Sequence, residues 1–440
     1  MVSVRASLRL IALALLTLAQ PSLAQPSAPE GSKAPDTRFT IAVIPDTQHY
    51  VDFTHQTEAG FPFDAREMFY DQMRFIADNA RSAGGQIAFA TCVGDVWQHA
   101  AGTIDQPHRA MGLKALDMVP RDALPLGDER TKTLEMPVAR KGFAMLAGKL
   151  PFAVVPGNHD YDDNWQDSRY LPGTTTSKPT DPALPYGLLH YGGLNNFNSV
   201  FGAGSPLFKG QKWYVASYHG GADSAQVFAA GGYRFLHIGL ELAPEDDVIE
   251  WAQGVINAHR GLPTIITIHN NISPDGVRTD IPIVDFKLSH PEHNDPEELW
   301  TKLIAPNDQI FLILSGHQYG QAHNVDRNRA GHQVHQVLAD YQERHQTLTT
   351  AAPDARRGHV GVGDGWLRLM DFDMSGAVPR IAVRTYSTHY KALSGQLPAY
   401  AAFYKADEKP KLDDAAFLAE DAFSIDLKDF RARFAAARAR

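Results

Sequence analysis

The sequence feature that most constrains the fold is a repeated pairing of a short apolar run with a polar residue just beyond its end. Five runs have this form, at residues 39–44, 86–93, 152–155, 264–268 and 310–314. Such runs predict buried strands, and apolar residues at helical spacing lie between several of them. Alternating strands and helices are typical of α/β folds, in which ligands gather at the carboxyl ends of strands. We therefore expect one α/β domain spanning residues 39–440, with residues 333–338, 366–371 and 381–386 forming antiparallel strands that complete a sheet.

The N-terminus has the layout of a secretory signal peptide. Arg5 and Arg9 flank the start of an apolar run that ends near Ala19, and small residues lead to a predicted cleavage after Ala24. About a dozen apolar residues are too few to span about 30 Å of hydrocarbon, so we predict no stable membrane insertion. Residues 1–24 are thus predicted to be the signal peptide, residues 25–38 a flexible linker, and the mature chain periplasmic or secreted.

Composition limits the classes of partner. The chain has 440 residues, a formal net charge of −9 and 44 % hydrophobic residues, which is the profile of a globular protein rather than of one that binds nucleic acid through lysine and arginine. A small phosphorylated substrate remains compatible with this charge, because bound cations reverse the field at a site. Cys92 is the single cysteine, so it forms no internal disulfide, and its apolar surroundings predict a core residue.

The polar residues beyond the five runs share one chemistry. Each alone has an ordinary explanation, since an aspartate after a strand is often a turn residue and a lone histidine is often a core residue. Together they supply carboxylate, amide oxygen and imidazole, which suit hard or borderline divalent metals. Two such metals about 3.5–4 Å apart clamp a phosphate and activate a shared water as hydroxide. The candidate residues are Asp46, Gln48, Asp95, Asn158, His159, Asp160, His269 and His317.

His159 is separated from this set by its position. It is adjacent to Asn158 and cannot easily share one metal with it, so we interpret it as a catalytic group that contacts the phosphoryl oxygen or protonates the leaving oxygen. Asp160 is the next residue, and we predict that it orients the His159 ring and keeps it cationic.

The ordered series Asp46-x-Gln48, Gly94-Asp95, Gly157-Asn158-His159-Asp160, His269 and Gly316-His317 resembles the calcineurin-like metallophosphoesterase superfamily, in particular its bacterial secreted members. The resemblance covers residues 39–386, and the tail segments 340–342 and 363–368 also look like those members. It implies a four-layer αββα sandwich and two divalent metal ions, Mn, Zn or Fe. It further implies that Asp46 and Gln48 bind the first metal, that Asp95 bridges, that Asn158, His269 and His317 bind the second, and that His159 is catalytic.

Two departures from the family pattern concern the first metal. The family usually has histidine where this chain has Gln48, and its Gly-His-x-His ending would place a second histidine where this chain has Tyr319. An amide oxygen can still bind a metal, and Tyr319 is either an unusual ligand or a ring that packs beside the site. The second-metal set is complete, so we expect the first metal to be the weaker or more exchangeable of the two.

Two functions remain open at this point. The leading hypothesis is an enzyme, a metallophosphoesterase that hydrolyses phosphomonoesters or phosphodiesters with a metal-bound hydroxide. The alternative is a non-catalytic exported binding protein that retains the scaffold, which Tyr319 favours and the His159–Asp160 pair opposes. In either case we expect specificity to lie in two long polar stretches, residues 101–126 and 161–204.

Overall fold

The chain forms both strands and helices throughout the part that the structure describes. The computed structural model describes residues 36–53, 64–116, 127–173, 187–279, 286–288, 292–346 and 361–438. The predicted signal peptide, most of the predicted linker and parts of both polar stretches lie outside them. The strands are β1 (Arg38–Ile44), β2 (Ile87–Cys92), β3 (Phe152–Val154), β4 (Asp163–Gln166), β5 (Leu189–Gly192), β6 (Tyr214–Tyr218), β7 (Asp223–Ala230), β8 (Tyr233–Leu240), β9 (Thr264–Ile268), β10 (Ile310–Ser315), β11 (Gly320–Arg327), β12 (Gln333–Asp340), β13 (Trp366–Asp373), β14 (Arg380–Ser387), β15 (Ala392–Leu393) and β16 (Phe423–Asp426).

The helices connect the strands along the chain. They are α1 (Gln48–Val51), α2 (Arg66–Asp78), α3 (Gln106–Ala110), α4 (Asp128–Arg130), α5 (Met136–Ala144), α6 (Asn195–Phe201), α7 (Asp246–Ala258), α8 (Pro296–Leu299), α9 (Tyr400–Glu408), α10 (Asp414–Asp421) and α11 (Phe430–Arg433). The chain is therefore a mixed α/β protein, as its alternating pattern predicts. Among the described residues, no helix combines the length and the apolar character that a membrane crossing requires.

Most strands belong to two seven-stranded sheets. The first has the order β15-β14-β13-β1-β2-β3, with β16 beside β14, and the second has the order β11-β12-β10-β9-β8-β7-β6. In the first sheet β1, β2 and β3 are parallel, and in the second β8, β9 and β10 are parallel. Parallel neighbours end at the same edge of their sheet, so the polar residues that follow them are brought together in two rows.

The prediction that residues 333–338 form an antiparallel strand is only half right. β12 pairs antiparallel with β11 but parallel with β10. The segment 320–327, which forms β11, was not predicted to be a strand. This missed strand runs opposite to β12 and lets β12 return parallel to β10. As a result, the end of β12 at Asp340 lies at the same edge as the end of β10.

Two apolar clusters hold the sheets and helices together. One joins the facing sides of the two sheets, where the Phe39 ring lies 5.4 Å from that of Phe235 and the Phe89 ring lies 4.5 Å from that of Phe228. The other packs the opposite side of β1 and β2 against α2 and α5. Cys92 belongs to the second cluster and is fully buried, as expected of a core residue.

Candidate metal centre

The loops after β1 and β2 are tied to each other by their backbones. The amides of Thr47 and Gln48 both donate to the carbonyl oxygen of Asp95, at 3.0 and 2.9 Å. Gly94 has φ 113° and Asp95 has φ 48°, a left-handed turn that glycine adopts without cost. A Cβ at Gly94 would lie 2.6 Å from Nδ1 of His269. Glycine at 94 therefore lets the first sheet approach the second at this edge.

Asp95 lies at the middle of the resulting cluster. Its Oδ2 accepts from Nε2 of Gln48 at 3.2 Å, its Oδ1 accepts from the backbone N–H of His159 at 2.9 Å, and Oδ1 lies 3.3 Å from Nε2 of His269. Burial acts to raise the pKa of Asp95, but the imidazoles of His269 and His159 outweigh it and hold that pKa below its usual range. Asp95 is thus an ionised carboxylate whose two oxygens face different neighbours.

Ligand-type atoms of Asn158 and His317 lie close to one ring nitrogen of His269. Nδ1 of His269 lies 2.9 Å from the carbonyl oxygen of Val93, which can only accept, so Nδ1 carries a proton. Burial acts to lower the pKa of His269, but the Asp95 carboxylate outweighs it and raises that pKa. A metal ion at Nε2 would therefore displace the second proton. That Nε2 lies 3.0 Å from Oδ1 of Asn158 and 3.1 Å from Nδ1 of His317. Burial lowers the pKa of His317 to about 3, so its ring is neutral. One ligand atom each from Asp95, His269 and His317 lies within 4.8 Å of the others, which is compatible with a shared metal ion.

Asp46 and Gln48 extend the cluster on the side of the first sheet. Oδ2 of Asp46 accepts the backbone N–H of His317 at 3.2 Å, which links the two sheets. Oδ1 of Asp46 and Oε1 of Gln48 are buried and have no hydrogen-bond partner in the described part of the chain. Burial raises the pKa of Asp46, and the nearby carboxylates of Asp340 and Asp95 raise it further. Unsatisfied buried oxygens are costly, and a cation between them would satisfy both, so these side chains fit a divalent metal.

The six predicted metal ligands, Asp46, Gln48, Asp95, Asn158, His269 and His317, are therefore brought together. The structure does not show the predicted contact between Asp160 and the His159 ring, and each residue has other partners. Nδ1 of His159 lies 2.8 Å from the carbonyl oxygen of Gln98, while the Asp160 carboxylate accepts the amides of Val96, at 2.9 Å, and Gly157, at 2.8 Å. The two residues occupy one 3₁₀ turn, in which consecutive side chains point about 120° apart. Asp160 holds the loops, and Gln98 orients the ring.

Asp340 is a neighbour of the centre that the analysis of strand ends did not single out. It is buried, its Oδ2 has no hydrogen-bond partner among the described residues, and burial raises its pKa to about 8. The signal was present, because Asp340 follows the apolar residues 337–339 in the same way that Asp46 follows β1. Tyr319 is 52 % exposed, and its side chain lies beside that of Gln342.

A cavity of about 320 Å³ adjoins the centre. It is lined by residues of the polar stretch 161–204, among them Tyr161 and Tyr191, and by His219 and Glu241 of the second sheet. The Tyr191 hydroxyl accepts a hydrogen bond from Nδ2 of Asn158 at 3.3 Å. Tyr191 therefore contacts the ligand cluster on one side and lines the cavity on the other.

The comparisons with known proteins add little to this geometry. No protein-family model matches the chain. The uncharacterized protein YvnB of Bacillus subtilis (strain 168) is 26 % identical over 224 residues, which cover 47 % of this chain and 15 % of that protein. The chain therefore matches only a small part of a much longer relative, which is itself uncharacterized.

Proposed function

We propose that this chain is a metal-dependent phosphoesterase of the calcineurin-like type, exported from the cytoplasm, with a four-layer αββα sandwich as its fold. The observation that carries the proposal is the convergence of Asp46, Gln48, Asp95, Asn158, His269 and His317 from five strand ends. Two sheets that share an apolar core, with α2 and α5 on the outer side of the first, support the sandwich.

The donor set supports divalent metal ions such as Mn, Zn or Fe. When bound, they would lower the pKa of a water and offset the charge of a phosphoryl group. Asp95 is ionised and has one oxygen toward His269 and the other toward Gln48, an arrangement that suits a bridging ligand. Oδ1 of Asp46 and Oε1 of Gln48, which have no hydrogen-bond partner among the described residues, would be ligands of the first metal, whose family set would include a second histidine where this chain has Tyr319.

His159 has the features of a general acid. Its Nδ1 donates to the Gln98 carbonyl, which fixes the ring and leaves Nε2 to give or take a proton. Its own amide donates to Asp95, so the backbone of this catalytic candidate is fixed to the ligand cluster. The cavity lined by Tyr161 and Tyr191 would hold the organic part of a small phosphate monoester or diester.

The experiment is hydrolysis of an aryl phosphate and a bis-aryl phosphate by the purified protein with Mn²⁺, Zn²⁺ or Fe²⁺ added. We expect His159→Gln to lower turnover by about 10²–10⁴-fold, the usual contribution of general acid–base catalysis. The matched control is His332→Gln, since His332 pairs with Asp308 at a partly exposed position outside the cluster. Equal rates for His159→Gln and the wild type would refute the role of His159.

The second candidate is an exported binding protein that retains the scaffold, and Tyr319 at the position of a family histidine favours it. Metal content separates the two functions. A binding protein would retain metal in the wild type, lose it in Asp95→Asn, and hydrolyse neither ester under any metal condition.

A further inference from the structure

A second group of ligand-type side chains lies at the edge of the second sheet and shares no residue with the candidate metal centre. His219 lies in the turn between β6 and β7, Asp223 begins β7, and Glu241 directly follows β8. Nδ1 of His219 is 3.2 Å from Oε1 of Glu241 and 3.7 Å from Oδ2 of Asp223. One ligand atom from each of the three lies within 4.8 Å of the others.

Asp223 provides an independent sign that a ligand belongs here. The residue is fully buried, and its Oδ1 accepts the backbone N–H of Glu241 at 2.9 Å. Its Oδ2 points into the cluster and has no hydrogen-bond partner in the described part of the chain. A buried carboxylate oxygen without a donor is expensive, and a cation bound there would remove that cost.

The charge around Asp223 is strongly negative. Asp223 is buried, and the carboxylates of Glu241, Asp247 and Glu245 add charge of the same sign around it. Within the described residues, the ion pairs of Asp223 and Glu241 are both with His219. One imidazole therefore faces several carboxylates, a balance that favours an additional positive charge.

We propose that Nδ1 of His219, Oδ2 of Asp223 and Oε1 of Glu241 bind a divalent cation. One imidazole and two carboxylates suit a borderline metal, Zn²⁺ or Mn²⁺, better than Ca²⁺. Three protein ligands leave at least one coordination position open. His219 and Glu241 both line the 320 Å³ cavity, so the open position faces the space beside the candidate metal centre.

The test is a zinc titration of the full-length protein after chelator treatment, followed by isothermal calorimetry, comparing the wild type with Asp223→Asn. The substitution keeps the oxygen that accepts the Glu241 amide and removes the charge. We expect the affinity for one of the bound zinc ions to fall by at least about 100-fold in Asp223→Asn. This is the upper end of the range for loss of an outer-shell partner. The remaining equivalents keep their affinity. In crystals of the wild type grown with Zn²⁺, an anomalous peak lies about 2.0–2.2 Å from all three atoms.

A second variant protects the test against a folding defect. His219 is half-exposed and has φ 43°, a conformation that asparagine tolerates, so His219→Asn keeps the turn and removes the imidazole. The matched control is His332→Asn, which removes a histidine paired with Asp308 elsewhere. We expect His219→Asn to lose the same zinc equivalent and His332→Asn to keep it. If His219→Asn binds as much zinc as the wild type with equal affinity, or if no anomalous peak lies between the three atoms, the site does not exist.

Discussion

Gly157 offers the most direct measure of how tightly the candidate metal centre is packed. Its backbone, with φ −101° and ψ −173°, is one that alanine adopts freely, so Gly157→Ala introduces no backbone strain. The added Cβ would lie 2.2 Å from Oδ1 of Asp95, 2.5 Å from the backbone N of Asp95 and 2.7 Å from Cε1 of His269. Ordinary contacts between carbon atoms are about 3.5–4.0 Å, so three groups must move at once.

The magnitude follows from which atoms can yield. The backbone of Asp95 is fixed by the amides of Thr47 and Gln48, so the strain is not relieved by rotation of one side chain. Overpacking costs about 1–3 kcal/mol, and we expect the upper end of that range for Gly157→Ala, about a hundredfold in the folding equilibrium. Displacement of the Asp95 carboxylate should also weaken metal binding.

The assay is urea unfolding followed by tryptophan fluorescence, with a chelator present so that steric cost is separated from metal linkage. The matched control is Gly254→Ala in α7, where an added Cβ would meet nothing within 4 Å. This substitution should stabilise the protein by about 0.5–1 kcal/mol through helix propensity. The reasoning is refuted if Gly157→Ala unfolds within about 0.5 kcal/mol of the wild type, the scatter of ordinary surface substitutions.

Three further outcomes can be measured on the same protein. Burial lowers the pKa of His237 to about 3, so the neutral ring's contribution to stability is complete above pH ~6.5 and is lost toward pH 3 at about 1.4 kcal/mol per pH unit. In urea unfolding between pH 7 and 5, the free energy of unfolding should therefore fall less steeply for His237→Gln than for the wild type. Burial raises the pKa of the Cys92 thiol, so a thiol reagent at pH 8 should modify it only in denaturant. Arg344→Ala leaves Glu408 buried without the ion pair that joins Nε to Oε1 at 2.7 Å, and unfolding should show a loss of about 3–5 kcal/mol.

The positions of the candidate ligands could be predicted from sequence because they depend on local rules. A buried strand must end in a turn, and the one or two residues after Ile44 or Ile268 lie at the carboxyl edge whatever the rest of the chain does. Parallel pairing then brings those edges together. The convergence of Asp46 and His269 therefore needs only strand direction and sheet membership.

The contacts within the site could not be predicted in the same way, because they depend on orientations of a few tens of degrees. Adjacency of His159 and Asp160 in the sequence favoured a contact between them, whereas the 3₁₀ turn sends Asp160 to the amides of Val96 and Gly157. The partner of the buried His237 ring is equally non-local, since its Nδ1 lies 2.7 Å from Oε1 of Gln226 on the neighbouring strand. Cross-strand partners depend on register, which the apolar pattern leaves open.

Strand direction also explains why acidic groups accumulate at one edge of the second sheet. β8 and β12 run parallel to β9 and β10 and end there at Glu241 and Asp340, while β7 runs the other way and begins there at Asp223. Burial raises the pKa of Asp223 and of Asp340, so protons neutralise these two carboxylates when no other cation does. Protons and metal ions then compete for the same oxygens. The burial and like charge that make this edge costly to fold are therefore also what would favour the divalent cations that we propose for it.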